Sequence, residues 1–233
     1  MLPNLNQQSF ELNVPSTDEK IKFRPFLVKE EKILLQALES NTLTDIAGAV
    51  KTIIENCTFN TIDVDKLPNF DLEYIFLNIR AKSAGEIAKI RVLSPDDKKT
   101  YVETSVDLTK VNVEVDVGHT NKIELTDTAG VIMTYPTLDL FIRHNYEKPT
   151  ADDFLKLFAE CILQVYNGDD VYDYADTTEK ERIEFLENLT KDQFDKVKQF
   201  FETMPKLKHK VKFKNPTTNK NNTVVLEGLR SFF

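Results

Sequence analysis

Between Ile87 and Thr134 the chain abandons helical spacing for five short runs rich in Val, Ile and Thr. These are Ile87 to Leu93, Thr100 to Val106, Val111 to Val117, Lys122 to Leu125 and Val131 to Thr134, parted by Ser94-Pro95-Asp96-Asp97 and by turns at Gly118 and Gly130. Parallel strands need crossovers of a dozen or more residues, and these connections are too short for that. The middle third is therefore predicted as an antiparallel β-meander. On both sides of it apolar residues recur at three and four, the period of a helix. The fold class that follows is α+β: an N-terminal strand and helices, a central antiparallel meander, C-terminal helices and a terminal β-hairpin.

The flanking segments carry their own punctuation. Glu11 to Val14 and Lys20 to Arg24 read as strands about the turn Pro15-Ser16-Thr17-Asp18, and Pro25 removes the donor that would continue the second. Val28, Leu34, Leu35 and Leu38 predict an amphipathic helix from Val28 to Leu38. A second helix, Thr44 to Asn56, should bury Ile46, Val50, Ile53 and Ile54, and a third, entered through Leu67-Pro68-Asn69, should bury Leu72, Ile75, Phe76 and Ile79 and end at Gly85. Thr137 to Asn145 is predicted helical. Thr150 with Asp153 opens a helix whose stripe is Phe154, Leu157, Phe158, Cys161, Ile162 and Val165, while Thr178 with Glu181 and Thr190 with Gln193 are capping boxes for two more. Lys208 to Lys214 and Thr223 to Leu226 form a hairpin about Asn215 to Asn222, followed by a helical turn over Glu227 to Phe233 that docks Leu229, Phe232 and Phe233. The expected division is residues 1–86, strand plus helices; 87–135, antiparallel; 136–205, helical; and 206–233, hairpin and tail, in one compact domain or two loosely separated ones.

Composition narrows the function classes. A chain of 233 residues with 41% hydrophobic side chains can bury a core without metal or disulfides. No apolar run approaches the length that spans a bilayer, so a transmembrane helix and a membrane partner are not expected. Six Gly leave little material for a phosphate-cradling loop, and the two Cys, 57 and 161, with no signal-like segment in MLPNLNQQSF, point to a reducing cytoplasm. Residues 151 to 202 carry 14 acidic and 6 basic side chains, and residues 203 to 233 carry 7 basic and 1 acidic. Lys206, Lys208, Lys210, Lys212 and Lys214 alternate with Leu207, Val211 and Phe213, which favours a solvated or edge strand face over nucleic-acid binding.

No constellation of reactive side chains emerges. His119, His144 and His209 have no ligands at metal-binding spacing, so neither metal nor cofactor is expected, and Gly118-His119 reads as a solvated turn. Cys161 reads as core and Cys57 lacks a catalytic partner. Asp96-Asp97, Asp152-Asp153 and Asp169-Asp170 are explained by a hairpin turn, a helix N-terminus and a loop. The most distinctive stretch is KIKFRPFLVKEEKILL, Lys20 to Leu35, which is either a strand entering a helix with internal ion pairs or an interface in which Arg24 forks onto a partner's carboxylate.

That stretch, preceded by Pro15-Ser16-Thr17, together with Arg80-Ala81-Lys82-Ser83-Ala84-Gly85-Glu86 and the closing Leu226-Glu227-Gly228-Leu229-Arg230-Ser231-Phe232-Phe233, resembles the T4-like bacteriophage baseplate protein family, the baseplate hub assembly subunit. The resemblance implies a late phage protein that helps build the hub of the tail baseplate in the host bacterial cytoplasm, with other hub or tail proteins as partners and no small-molecule substrate. Retention in the virion and a chaperone's departure are both compatible with it. It also implies Cys pairs in some relatives, as in a zinc ribbon, at hairpins corresponding to residues 94–99 and 215–222; this chain has no Cys in either, so turns and strand pairing would have to replace the metal.

The leading expectation is thus a non-enzymatic tail protein acting by protein-protein binding. Its interface candidates are the apolar anchors Phe23, Phe26, Phe232 and Phe233 with a rim of Lys20, Lys22, Arg24, Glu30 and Glu31. The alternative is a cell-wall-active hydrolase of the tail using paired carboxylates, at least one with a raised pKa.

Overall fold

A computed structural model describes residues 7–40, 42–144 and 150–232. In chain order, β1 (Phe10–Asn13) and β2 (Lys20–Phe23) lead into α1 (Val28–Ser40), α2 (Leu43–Cys57) and α3 (Asn69–Ala84). The strands β3 (Ile87–Leu93), β4 (Tyr101–Asp107), β5 (Asn112–Glu114), β6 (Lys122–Glu124) and β7 (Ala129–Met133) follow. Next come α4 (Leu138–Arg143), α5 (Ala151–Glu160), β8 (Ile162–Asn167), β9 (Asp170–Asp173), α6 (Glu179–Glu187) and α7 (Lys191–Thr203), and finally β10 (Lys206–Lys214) and β11 (Asn221–Glu227). The architecture is α+β with small antiparallel sheets. The chain divides into two compact units, Met1–Glu114 with Lys206–Phe233, and Val115–Pro205.

The first unit is organised around α3. Its mid-section buries side chains on nearly every face, among them Leu72, Ile75, Phe76, Leu77 and Ile79, which makes it an interior helix. Gly85, at φ 103°, ends it in a conformation that side chains rarely adopt. One core beside α3 joins Leu77 and Ala81 to Ile90 and Val106 of the β3–β4 hairpin and to Leu207, Val211 and Leu226 of the β11–β10–β5 sheet. A single turn of 3-10 helix, Leu229–Phe232, closes this core with Phe232 fully buried. The lysine-rich β10 is the central strand of its sheet, not an edge: it pairs with β5 over Lys206 to Lys208 and with β11 over Lys208 to Lys214. Its lysines are tolerated because Leu207 and Val211 take the inward positions, and Lys206 meets Glu227 at 3.1 Å.

In α1 three of the four residues of the expected apolar face are turned outward, Leu34 being half-buried. Val28 is 81% exposed, Leu35 55% and Leu38 52%, while Glu30 and Ala37 are buried. The cause is electrostatic. Arg24 is buried where β2 ends, and the helix rotates to bring Glu30 onto it at 2.9 Å, which carries Ala37 inward and the Val28, Leu35 and Leu38 stripe out.

The second unit is a four-stranded antiparallel sheet, β6–β7–β8–β9, with its helices. The antiparallel pairing expected of the middle third is present but divided among three sheets: β3 pairs with β4, β5 with β10, and β6 and β7 belong here. The helix opened by Thr150 stops at Glu160, with Cys161 as its cap, so Ile162 and Val165 lie in a strand and not on a helical stripe. Ladders on both sides of β8 satisfy its backbone and favour the extended form for this β-branched and aromatic run. Gly168, at φ 61°, turns β8 back into β9, so Asp170 opens a strand and only Asp169 stays in the turn. All three capping boxes, at Thr150, Thr178 and Thr190, are formed with both reciprocal hydrogen bonds. The α4 helix spans Leu138–Arg143; Asn145 lies outside the described residues.

Candidate functional site

The Lys20 to Glu31 segment is where an interface was expected, and its members have separate fates. In the β1–β2 hairpin Leu12 pairs with Ile21 and Glu11 with Lys22, so Ile21 and Phe23 face inward, both buried, and the charged positions face out. Lys20 and Lys22 both reach Glu11, at 3.4 and 3.9 Å, as exposed pairs. Phe26 is half-buried, its ring centroid 5.8 Å from that of Phe76, and its N–H donates to Ser83 Oγ at 2.7 Å. Glu31 is exposed. Phe232 is buried, and Phe233 lies outside the described residues.

Arg24 and Glu30 form an internal ion pair in place of the partner-facing fork. The guanidinium donates to both carboxylate oxygens, at 2.9 and 3.3 Å, to Pro25 O at 3.0 Å and to Cys57 Sγ at 3.7 Å. Glu30 also accepts from Leu27 N–H at 2.9 Å, which satisfies a backbone donor just before α1. Burial alone pushes Glu30 up, but the bonds from Arg24 and Leu27 outweigh it and hold the carboxyl below its ordinary value. One carboxylate thus holds Arg24 and the Leu27 N–H, with Lys29 also 3.4 Å away, and through Arg24 the contact locks the entry of α1 against the end of α2.

At the far end of the same unit the turns 94–99 and 215–222 are joined side chain to side chain. Each opens with a Pro after a polar residue, Ser94-Pro95 and Asn215-Pro216, and each turns through a positive φ, at Lys98 and Asn219. Asn215, fully buried, donates from Nδ2 to Ser94 Oγ at 3.1 Å, Asp96 Oδ1 at 2.9 Å and Asp97 Oδ2 at 3.1 Å, and its Oδ1 accepts from Thr217 N–H at 2.8 Å. Thr218 donates a short bond to Asp96, and Thr100 bonds Thr217 at 3.2 Å. Bonds from Ser94, Thr218 and Asn215 hold Asp96 down to about 2. Hydrogen bonds between side chains thus hold these two turns together. Asn215→Ala strips the amide from the centre of this network and is expected to lower the urea midpoint of the first unit by about 1 to 3 kcal/mol equivalent, with Asn215→Asp no better because it juxtaposes a third carboxylate.

Two carboxyls at the start of α3 hold the β1–β2 turn and the turn that follows β11. Asp71 accepts from Ser16 N–H at 3.1 Å and, through a short bond, from its hydroxyl. Glu73 accepts from Leu229 N–H and, at 3.2 Å, from Asn69 Nδ2. Burial is the largest influence on each and raises both to about 6. The folded unit therefore binds more protons than the unfolded chain between the ordinary carboxylate range and about 6. Stability from these groups is present below that range and is lost as pH rises through it. The urea midpoint of the first unit should be higher near pH 5 than near pH 7, and Asp71→Asn with Glu73→Gln should flatten that slope.

In the second unit α5, α6 and α7 enclose an open apolar groove of about 690 Å³. Phe154, Leu155, Phe158, Leu189 and Phe194 line it, and Lys191, Lys198 and Glu187 stand along it. His119, expected in a solvated turn, is instead half-buried: its ring nitrogens meet Thr203 Oγ1 at 2.9 Å and Tyr135 Oη at 3.0 Å, and Tyr135 and Phe200 pack on its ring. Burial lowers its pKa. His144 meets Glu160 at 2.7 Å. Both thiols are buried, which pushes Cys57 up to about 11 and Cys161 higher still, away from the thiolate a nucleophile needs. Among the described residues no group of three or more His, Cys, Asp or Glu is placed to hold a metal, and no helix is long and apolar enough to cross a membrane.

A family model described as T4 bacteriophage base plate protein matches residues 6–233, nearly the whole chain. No curated protein and no solved structure matches the chain.

Proposed function

The chain belongs to the T4 bacteriophage base plate protein family, and from that premise we propose that it is a subunit or assembly factor of the baseplate hub, working by protein-protein binding in the host cytoplasm and not by catalysis. The match over residues 6–233 carries the reading, because it ties the whole fold, and not one motif, to a base plate protein. The chemistry of the side chains supports it. Among the described residues the carboxyls raised toward the range of a general acid are Asp71 and Glu73, and both are committed to the chain's own Ser16 and Leu229. Two residues apart on a helix, they point to faces about 160° apart and cannot flank one substrate bond.

Binding would then use what the fold leaves outside. Lys20, Lys22 and Glu31 are exposed in the first unit, and Phe26 is half-buried. Phe23, Arg24, Glu30 and Phe232 act indirectly, by holding that surface in shape. The acidic stretch 151 to 202 and the lysines of β10 supply fields of opposite sign on different elements, so association with hub proteins should slow as salt rises. An on-rate that does not change between low and physiological salt removes electrostatic steering from this account. The function itself is tested by co-purification from infected cells followed by analysis of mature particles. Recovery with hub proteins before tail completion is the expected result. Recovery with none of them, or peptidoglycan cleavage by the purified chain, refutes the assignment.

A further inference from the structure

The unit Val115–Pro205 carries an apolar groove, and α1, in the other unit, carries an apolar stripe that no described residue of its own unit covers. We propose that these are the two halves of one contact between copies of this chain, the α1 stripe of one copy seating in the α5–α6–α7 groove of the next.

Shape and charge both favour this occupant. Val28, Leu35 and Leu38 fall within about 80° of one helical face and span about 15 Å, the pattern by which an amphipathic helix anchors in a groove. Their exposures of 81, 55 and 52% leave most of each side chain to be covered by something else. Glu31 and Glu39 stand on the same face with Lys32, all exposed. Opposite them the groove offers Phe154, 39% exposed, and the partly buried Leu155, Leu189 and Phe194. Lys191 and Lys198 accompany these with Glu187, so two carboxylates and one ammonium would meet two ammoniums and one carboxylate. The existing partner of Lys198 is Glu202 at 3.3 Å, an exposed intrahelical pair that a carboxylate from outside can join or replace.

Because the two patches differ, the contact is heterologous: each copy that joins leaves one patch open at either end, and growth closes into a ring or continues as a filament. This does not depend on the hub assignment; a chain that never self-associates would overturn the contact and leave that reading standing.

The test is sedimentation of the full chain over a dilution series. Wild type should rise in mass with concentration. Leu35→Glu with Leu38→Glu, substitutions at exposed positions, should weaken association by about 100-fold or more. Phe154→Glu should do the same from the groove side. Each variant keeps one intact patch, so an equimolar mixture should give a complex that stops at two chains. Should Phe154→Glu fail to fold by circular dichroism, Lys191→Glu with Lys198→Glu replaces it, and Glu31→Lys with Glu39→Lys should restore its association. A single-chain mass for wild type at every concentration overturns the proposal and assigns the groove to a partner of different sequence. Continued assembly of the Leu35→Glu, Leu38→Glu variant, or a mixture that remains monomeric, overturns it as well.

Discussion

Glu30→Ala is expected to destabilise the first unit by about 3 to 5 kcal/mol, more than any surface substitution in the chain. The magnitude comes from what is left behind. Arg24 is 5% exposed and its guanidinium cannot neutralise itself, so removing the carboxylate strands a charge in the interior and frees the Leu27 N–H that Glu30 accepts. Replacing both partners is a different experiment. Arg24→Met with Glu30→Leu removes the charge along with its counter-charge, and should recover most of the lost stability. The pH dependence has a defined sign. Glu30 is held below its ordinary value, so its contribution is present above the ordinary carboxylate range and lost on acidification through the lower folded value. The gap between wild type and Glu30→Ala should narrow in acid. Urea titrations of the three proteins decide the matter: a Glu30→Ala midpoint equal to wild type would mean the pair is not what holds α1 in place.

The same ion pair marks the limit of what the sequence alone conveys. Local signals were read correctly where a few adjacent residues determine the outcome: the three Thr capping boxes, the Gly85 stop, the β3 span, and the β10–β11 hairpin. Each rests on hydrogen bonds or dihedral preferences closed within a turn or two of chain. The outward face of α1 was not legible, because its rotation is decided by a charge buried outside the helix, and apolar spacing predicts only that Val28, Leu34, Leu35 and Leu38 share a face, not which way it points. The boundary between α5 and β8 was missed for a related reason. Phe154 to Val165 satisfies a helical period, and only the ladders to β7 and β9 make the last part a strand. The signal that could have located it is Gly168-Asp169, a hairpin turn dipeptide between two β-prone runs. As for the site, the sequence left open ion pairs within the segment or an Arg24 fork onto a partner's carboxylate, and spacing cannot say that the carboxylate Arg24 meets lies six residues on.

Phe232→Ala is expected to cost the first unit about 3 to 5 kcal/mol, close to the loss at Glu30 but by a different route. Its ring is fully buried in the core that Leu207, Val211 and Leu226 share with the β3–β4 hairpin. The tail cannot easily collapse into the vacated space, since its backbone is tied: Gly228 N–H donates to Leu207 O at 3.0 Å, Ser231 Oγ donates to Glu227 O at 2.6 Å, and Glu73 accepts from Leu229 N–H. A cavity therefore persists where the ring was, and its lining loses both burial and dispersion contacts. Phe232→Leu, which keeps most of the volume, should cost less than half as much. The measurement that matters for function is binding under conditions where Phe232→Ala is still folded. If Phe232 acts only as core, partner affinity there equals wild type even though the urea midpoint has fallen, whereas Lys20→Ala and Lys22→Ala show the reverse pattern, with stability unchanged and the on-rate reduced. A Phe232→Ala protein that is stable but no longer binds would mean that the terminal turn opens to present the ring, and the tail would then be part of the interface.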